Sequence, residues 1–86
     1  MQQFQKPQQQ LKTRKAILLF LKNGGPPLVL YVDNPDEFYQ ELKDIILKAS
    51  VSSPKLIEKV GKGPLKIIAV LDTQIAGASI QEEPYI

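Results

Sequence analysis

Two aspartates, Asp33 and Asp72, each close an apolar run, and a carboxylate at the end of a strand is well placed to act as a general base. Neither has a nucleophile or a metal ligand at a recognisable spacing. The chain contains no histidine and no cysteine, which excludes imidazole acid/base chemistry, thiol nucleophiles, Cys/His zinc sites and disulfides. Helix-cap and turn duty account for both aspartates. Gly61-Lys62-Gly63-Pro64 shares a Gly-Lys pair with phosphate-cradling loops, but those need G-x-x-x-x-G-K-[ST] ahead of a helix. Here an apolar strand follows, so the stretch reads as a turn. No catalytic residue, metal or cofactor is expected. A small-ligand site would require an apolar pocket on which Tyr31, Tyr39, Asp33 or Asp72 converge.

The remaining residues with binding chemistry are basic. Lys55, Lys59, Lys62 and Lys66 surround the second turn, and with Lys12, Arg14 and Lys15 they are the candidate contacts for a polyanion. Residues 1–15 hold Lys6, Lys12, Arg14 and Lys15 and no acid, a charge of +4, while residues 16–86 hold seven bases and nine acids, a charge of −2. Nucleic-acid domains usually cluster their basic residues on one folded face, and here the excess sits in the leading segment. The turn lysines equally serve to shield an edge strand from aggregation.

These residues must be carried by one small domain. A composition of 43% hydrophobic and 23% charged residues is that of a globular chain, and at 86 residues there is core for a single domain only. "MQQFQKPQQQ" is too polar to offset the entropy of ordering it, so residues 1–13 are expected to form a disordered, Gln-rich basic tail. Residues 14–83 are the domain and residues 84–86 a flexible end. Ala16–Leu21 is too short for a signal sequence or a membrane helix, and the expected location is the cytoplasm.

Ala16–Leu21 and Leu28–Val32 flank Asn23-Gly24-Gly25-Pro26-Pro27 and read as a β-hairpin. "VDNPDEFYQELKDIILKAS" then reads as a helix. Asn34 is at the cap, Pro35 at the first helical position, Asp36 and Glu37 in the first turn with Glu37 spaced for a capping box, and Phe38, Leu42, Ile45, Ile46 and Ala49 form one apolar stripe. Ser50–Pro54 is a loop, and Lys55–Val60 and Leu65–Leu71 make a second hairpin. After a break at Asp72-Thr73, Ile75–Glu82 forms a last strand with small residues at Ala76–Ser79. The fold class is α+β: an antiparallel sheet of four to five strands with one helix, in the order β-β-α-β-β.

The strands do not alternate apolar with polar as a sheet covered on one face should. Ile17, Leu19 and Leu21 oppose Leu18 and Phe20, and the same holds in Leu28–Val32 and Ile67–Leu71. One helix covers one face, and the other is expected to meet a second copy of the chain, with Leu19, Phe20, Leu28, Leu30, Ile68 and Val70 as candidate interface. Closure of the sheet into a small barrel, or a different protein, are the other possible covers.

"AILLFLKNGGPPLVLYVDNPDEFYQELKDII" followed by "GPLKIIAVLDTQIAGASIQEE" resembles a family of small uncharacterised cyanobacterial proteins with a strand-strand-helix-strand-strand layout. The likeness covers residues 14–83, through Phe38-Tyr39-Gln40-Glu41 and the "KIIAVLDTQIAGASI" run. It implies an architecture and a cytoplasmic bacterial source, and carries over no site residues. The leading expectation is a non-enzymatic, homodimeric protein-interaction module. A nucleic-acid-binding accessory protein using the basic residues and a small-ligand-binding domain are the alternatives.

Overall fold

The computed structural model of the protein describes residues 12–84. Residues 1–11 of the expected tail, and 85–86 of the expected flexible end, lie outside the described residues. Thr13 and Pro84, placed in those segments by the sequence, are instead the first residue of β1 (Thr13–Leu21) and the last of β5 (Ile75–Pro84).

The first apolar pair forms the expected hairpin. β1 runs antiparallel to β2 (Leu28–Leu30), with Ile17 opposite Leu30 and Leu19 opposite Leu28. The connection needs its glycines, since Gly24 and Gly25 sit at φ +83° and +84°, where a side chain would be strained. The helix α1 covers Pro35–Lys48, with Pro35 at its start and Asp36 and Glu37 in the first turn, where acids favour the helix dipole. One expected detail is absent. The Asn34 side chain makes no capping hydrogen bond. The backbone N–H of Phe38 donates to the Asn34 carbonyl oxygen at 3.0 Å, and the proline, which has no N–H, leaves the first turn with one fewer donor to satisfy.

The second hairpin pairs β3 (Leu56–Val60) with β4 (Ile67–Leu71). Its turn closes through the Gly61 N–H and the Lys66 carbonyl, 2.8 Å. Gly61 has no room for a side chain, because a Cβ there would run into the Leu65 carbonyl oxygen. A short 3-10 turn, Asp72–Gln74, then redirects the chain into β5, which pairs antiparallel with β1 from Thr13 opposite Pro84 to Leu21 opposite Ile75, with a bulge between Phe20 and Leu21.

The strands form two sheets where the sequence suggested one: a three-stranded sheet in the order β2-β1-β5 and the separate β3-β4 hairpin. The division falls at the 3-10 turn. By bending the chain between β4 and β5, it takes the two strands out of register with each other and leaves β5 free to line β1. The strands therefore do not close into a barrel.

The two sheets and the helix share one core. Ile17, Leu19, Leu30 and Leu42 are fully buried, and Phe38, Val32, Ile68 and Ile75 nearly so, with Leu21, Leu28, Ile45, Ile46, Val70, Ala78 and Ile80 packed around them. By strand alternation this fixes the inner row of the three-stranded sheet: Ile17, Leu19 and Leu21 on β1, Leu28 and Leu30 on β2, Ala78 and Ile80 on β5. α1 lies on this face, closest along β5, and the hairpin packs there through Ile68 and Val70. The apolar stripe read from the sequence is the buried side of α1. No helix among the described residues is long and apolar enough to cross a membrane.

Candidate interaction surfaces

The two aspartates have structural partners. Asp33 is exposed, and its Oδ1 accepts from Lys62 Nζ at 2.9 Å. This hydrogen bond and the lysine's charge hold the Asp33 carboxyl below its ordinary range. Asp72 is buried at 4% exposure. Its Oδ1 accepts the Lys55 backbone N–H at 2.9 Å, while its own N–H donates to the Lys55 carbonyl at 2.8 Å. Asp72 thus does the turn duty expected of it, tying the entry of β3 to the exit of β4. Asp33 braces the turn of the second hairpin and is not the cap of α1. The groups required for a small-ligand site do not converge. Of two clefts of about 470 Å³ each, Asp33 lines one and Tyr31 the other, and Tyr39 and Asp72 line neither.

The candidate polyanion residues are spread, and the three that meet are in ion pairs. Arg14, Lys15 and Lys62 meet around the Tyr31 cleft, but Arg14 Nε lies 3.0 Å from Glu83 Oε1, Lys15 Nζ 3.0 Å from Asp36 Oδ2, and Lys62 is held by Asp33. Lys59 stacks over the Phe38 ring at 4.6 Å in the other cleft. Lys12, Lys55 and Lys66 are exposed and lie outside both clefts. The structure brings three of the seven together and does not assemble the set into one basic face.

Around Arg14 a cluster closes the end of the sheet. Its guanidinium stands 3.9 Å over the Tyr31 ring, and Glu83 Oε1 accepts both from Arg14 and from the Tyr31 hydroxyl at 2.9 Å. The Tyr31 hydrogen bond, then that of Arg14, holds the Glu83 carboxyl below its ordinary value, and the same bond to Glu83 raises the Tyr31 phenol. A depressed carboxyl stabilises the fold above its unfolded pKa, and the contribution is lost as pH falls through the folded value. For Glu83 that loss begins below its ordinary 4.5 and for Asp33 below 3.8. Tyr31→Phe removes the largest cause for Glu83. Its melting temperature is therefore expected to fall below wild type on the neutral plateau and to converge with wild type as Glu83 is protonated below that pH, so that the acid-side slope is shallower, as followed by circular dichroism across pH 2.5–7.

The candidate interface residues divide between the two sides of the sheet. Leu19, Leu30 and Ile68 are buried in the chain's own core, and Leu28 and Val70 pack against it. Phe20 lies on the opposite side at 38% exposure, in a row with the half-buried Leu18 and, across the strands, Val29, Ser79 and Gly77. Phe20 and Gly77 are direct cross-strand neighbours, and a Cβ built on Gly77 would find no atom within 4 Å. The outer row thus has a protruding ring beside an open socket.

The sequence reading did not single out a second surface, the outer side of the β3-β4 hairpin. Leu56, Val60, Ile67 and Leu71 stand there 63%, 68%, 56% and 42% exposed. The signal was available, since Lys55–Val60 and Leu65–Leu71 carry apolar residues on both alternating rows. Comparison of the chain with protein-family models, curated proteins and solved structures finds no match in any of the three.

Proposed function

We propose that the protein is a non-enzymatic interaction module that works as a homodimer, two copies meeting through the outer face of the three-stranded sheet. The observation that supports this is the pairing of Phe20 with the bare Gly77. In an interface with two-fold symmetry, whatever residue i presents to j is returned by j to i, so a ring and a socket side by side on one face make that face complementary to itself. Each Phe20 packs over the partner's Gly77, Leu18 and Val29 fill the margin, and β5, with no side chain larger than serine at positions 76–79, lets the two sheets approach. Helix and hairpin pack on the inner side except at the hairpin's turn, which meets Tyr31 beside Arg14, at the far end of β1 from Phe20. The three-stranded sheet would gain the second cover that its two apolar rows require, and a chain of this length gains core by pairing.

The test is the solution mass by light scattering between about 10 μM and 1 mM, a range spanning the affinities of weak and moderate dimers. The wild-type chain is expected at twice its 9.6 kDa, and Gly77→Leu, which fills the socket without touching the core, is expected at the mass of one chain. A wild-type monomer throughout the range rejects the proposal, as does a Gly77→Leu dimer as tight as wild type.

A further inference from the structure

The outer face of the β3-β4 hairpin is made of three cross-strand pairs, Leu56 with Leu71, Glu58 with Ala69 and Val60 with Ile67. A hairpin whose other side is in the core normally turns polar residues outward. Here both outer pairs at the ends are apolar and more than 40% exposed, and the only charge is Glu58 between them. Along the β3 margin runs the cleft shared with α1, lined by Val60, Glu58, Phe38, Glu37 and Glu41, and also by Lys62, which pairs with Asp33, and Lys59, which stacks over Phe38, so that its net charge is negative.

The state of the acids distinguishes this margin from the rest of the surface. Asp33, Asp36, Asp44 and Glu83 are in ion pairs with Lys62, Lys15, Lys48 and Arg14. Glu82 accepts from Thr13, and Asp72 from the Lys55 N–H. Among the described residues the carboxylates without an ion pair or hydrogen bond are Glu37, Glu41 and Glu58, and all three line this cleft.

We infer that the hairpin's outer face docks an amphipathic segment of another protein, apolar along one side and carrying Lys or Arg along the flank that meets Glu37, Glu41 and Glu58. The apolar pairs supply the burial, and the carboxylates set orientation and partner choice, since uncompensated charge at an interface favours the opposite sign and penalises its own. That rule disfavours a second copy at this site, because each such face brings three unpaired carboxylates against one lysine, Lys59, whose ammonium already lies over the Phe38 ring. It decides equally against nucleic acid and anionic lipid. The inference is independent of the homodimer. The hairpin packs on the inner side of the three-stranded sheet, so its outer face looks away from Phe20 and Gly77, and both surfaces can be occupied at once.

The probe is a fluorescein-labelled synthetic helix with Leu at i, i+3, i+4 and i+7 and Lys along one flank, titrated with the full chain by anisotropy. Its control is the same peptide with Glu for each Lys. The Lys peptide is expected to bind and the Glu peptide to fail. Val60→Ser is expected to weaken binding about tenfold, as loss of an apolar anchor does, and Glu41→Gln with Glu58→Gln to weaken it and flatten its salt dependence. All three positions are exposed, and unchanged melting temperatures verify that the variants are folded. Absence of Lys-peptide binding, equal binding of both peptides, or binding indifferent to Val60→Ser overturns the inference. So does self-association that Val60→Ser abolishes, which would assign the face to a second copy. Phe20→Lys separates the two surfaces: peptide affinity at the wild-type value with dimer lost is the expected result, and loss of peptide binding in this variant overturns the independence of the sites.

Discussion

Leu19→Lys is expected to leave no folded protein, while Phe20→Lys, one position along the same strand, leaves the fold intact and removes the dimer. Leu19 has no exposed surface and packs in the cluster shared by Ile17, Leu30, Phe38 and Leu42. Truncating such a leucine costs about 2–5 kcal/mol, and the replacement adds an ammonium to a cluster that holds no acid, a further penalty of several kcal/mol. A domain of this size has a total stability of about 4–13 kcal/mol, scaling per residue. The sum removes most or all of it. Phe20 points to the other side, with more than a third of its surface in water, and a lysine there finds solvent in the single chain. Far-UV circular dichroism and light scattering on the two variants give the comparison. Two identical outcomes would mean that β1 does not divide into an inner and an outer row.

Asp72→Ala carries the next largest expected effect, a loss of about 2–3 kcal/mol, at the upper end for a buried hydrogen bond to an ionised group. The Asp72 carboxylate and backbone hold Lys55 by two bonds of 2.9 and 2.8 Å, clamping the two ends of the second hairpin where the chain turns from β4 into β5. Without the carboxylate, the Lys55 N–H is left partly buried and unpaired. Urea denaturation gives the loss of stability, and amide exchange is expected to accelerate across β3 and β4 before β1 and β5, since only the clamp on the hairpin is cut. Asp72→Asn is expected to recover about half of the loss, because its side-chain oxygen still accepts, now without charge. A variant as stable as wild type would show that the clamp contributes nothing net.

The elements were legible in the sequence wherever a local rule governs them. Gly24 and Gly25 between apolar runs mark a turn because few other residues accept their φ, and Asn34-Pro35-Asp36-Glu37 marks a helix start because proline tolerates only the first turn. The strand rows were legible as rows: Leu19 and Phe20 on opposite sides follows from a period of two. Which row faces inward depends on where α1 and the second hairpin settle, and an alternation that is apolar on both rows has no local preference to decide it. Five of the six residues named as interface belong to the inner side for that reason. The division into two sheets was hidden for a related cause, because it is made by the bend at Asp72–Gln74, three residues whose break was visible but whose angle was not. The unpaired state of Glu37, Glu41 and Glu58 is further from the sequence still. Their i, i+4 spacing on α1 and a third acid on β3 become one margin only when the helix and the hairpin lie side by side.

Of the five strands, β1 is made first and is completed last. Its hairpin with β2 and the later hairpin of β3 with β4 close within short stretches of chain, but its other long edge waits for β5, whose Glu82 and Thr13 meet across 69 positions. Closing so long a loop costs entropy before any contact repays it. A ribosome therefore releases β1 with its apolar rows half covered, and the native core is expected to form only after β5 has been made. Versions truncated before Ile75 should populate a collapsed state that holds α1 without the sheet, and folding should be limited by the joining of β5 to β1.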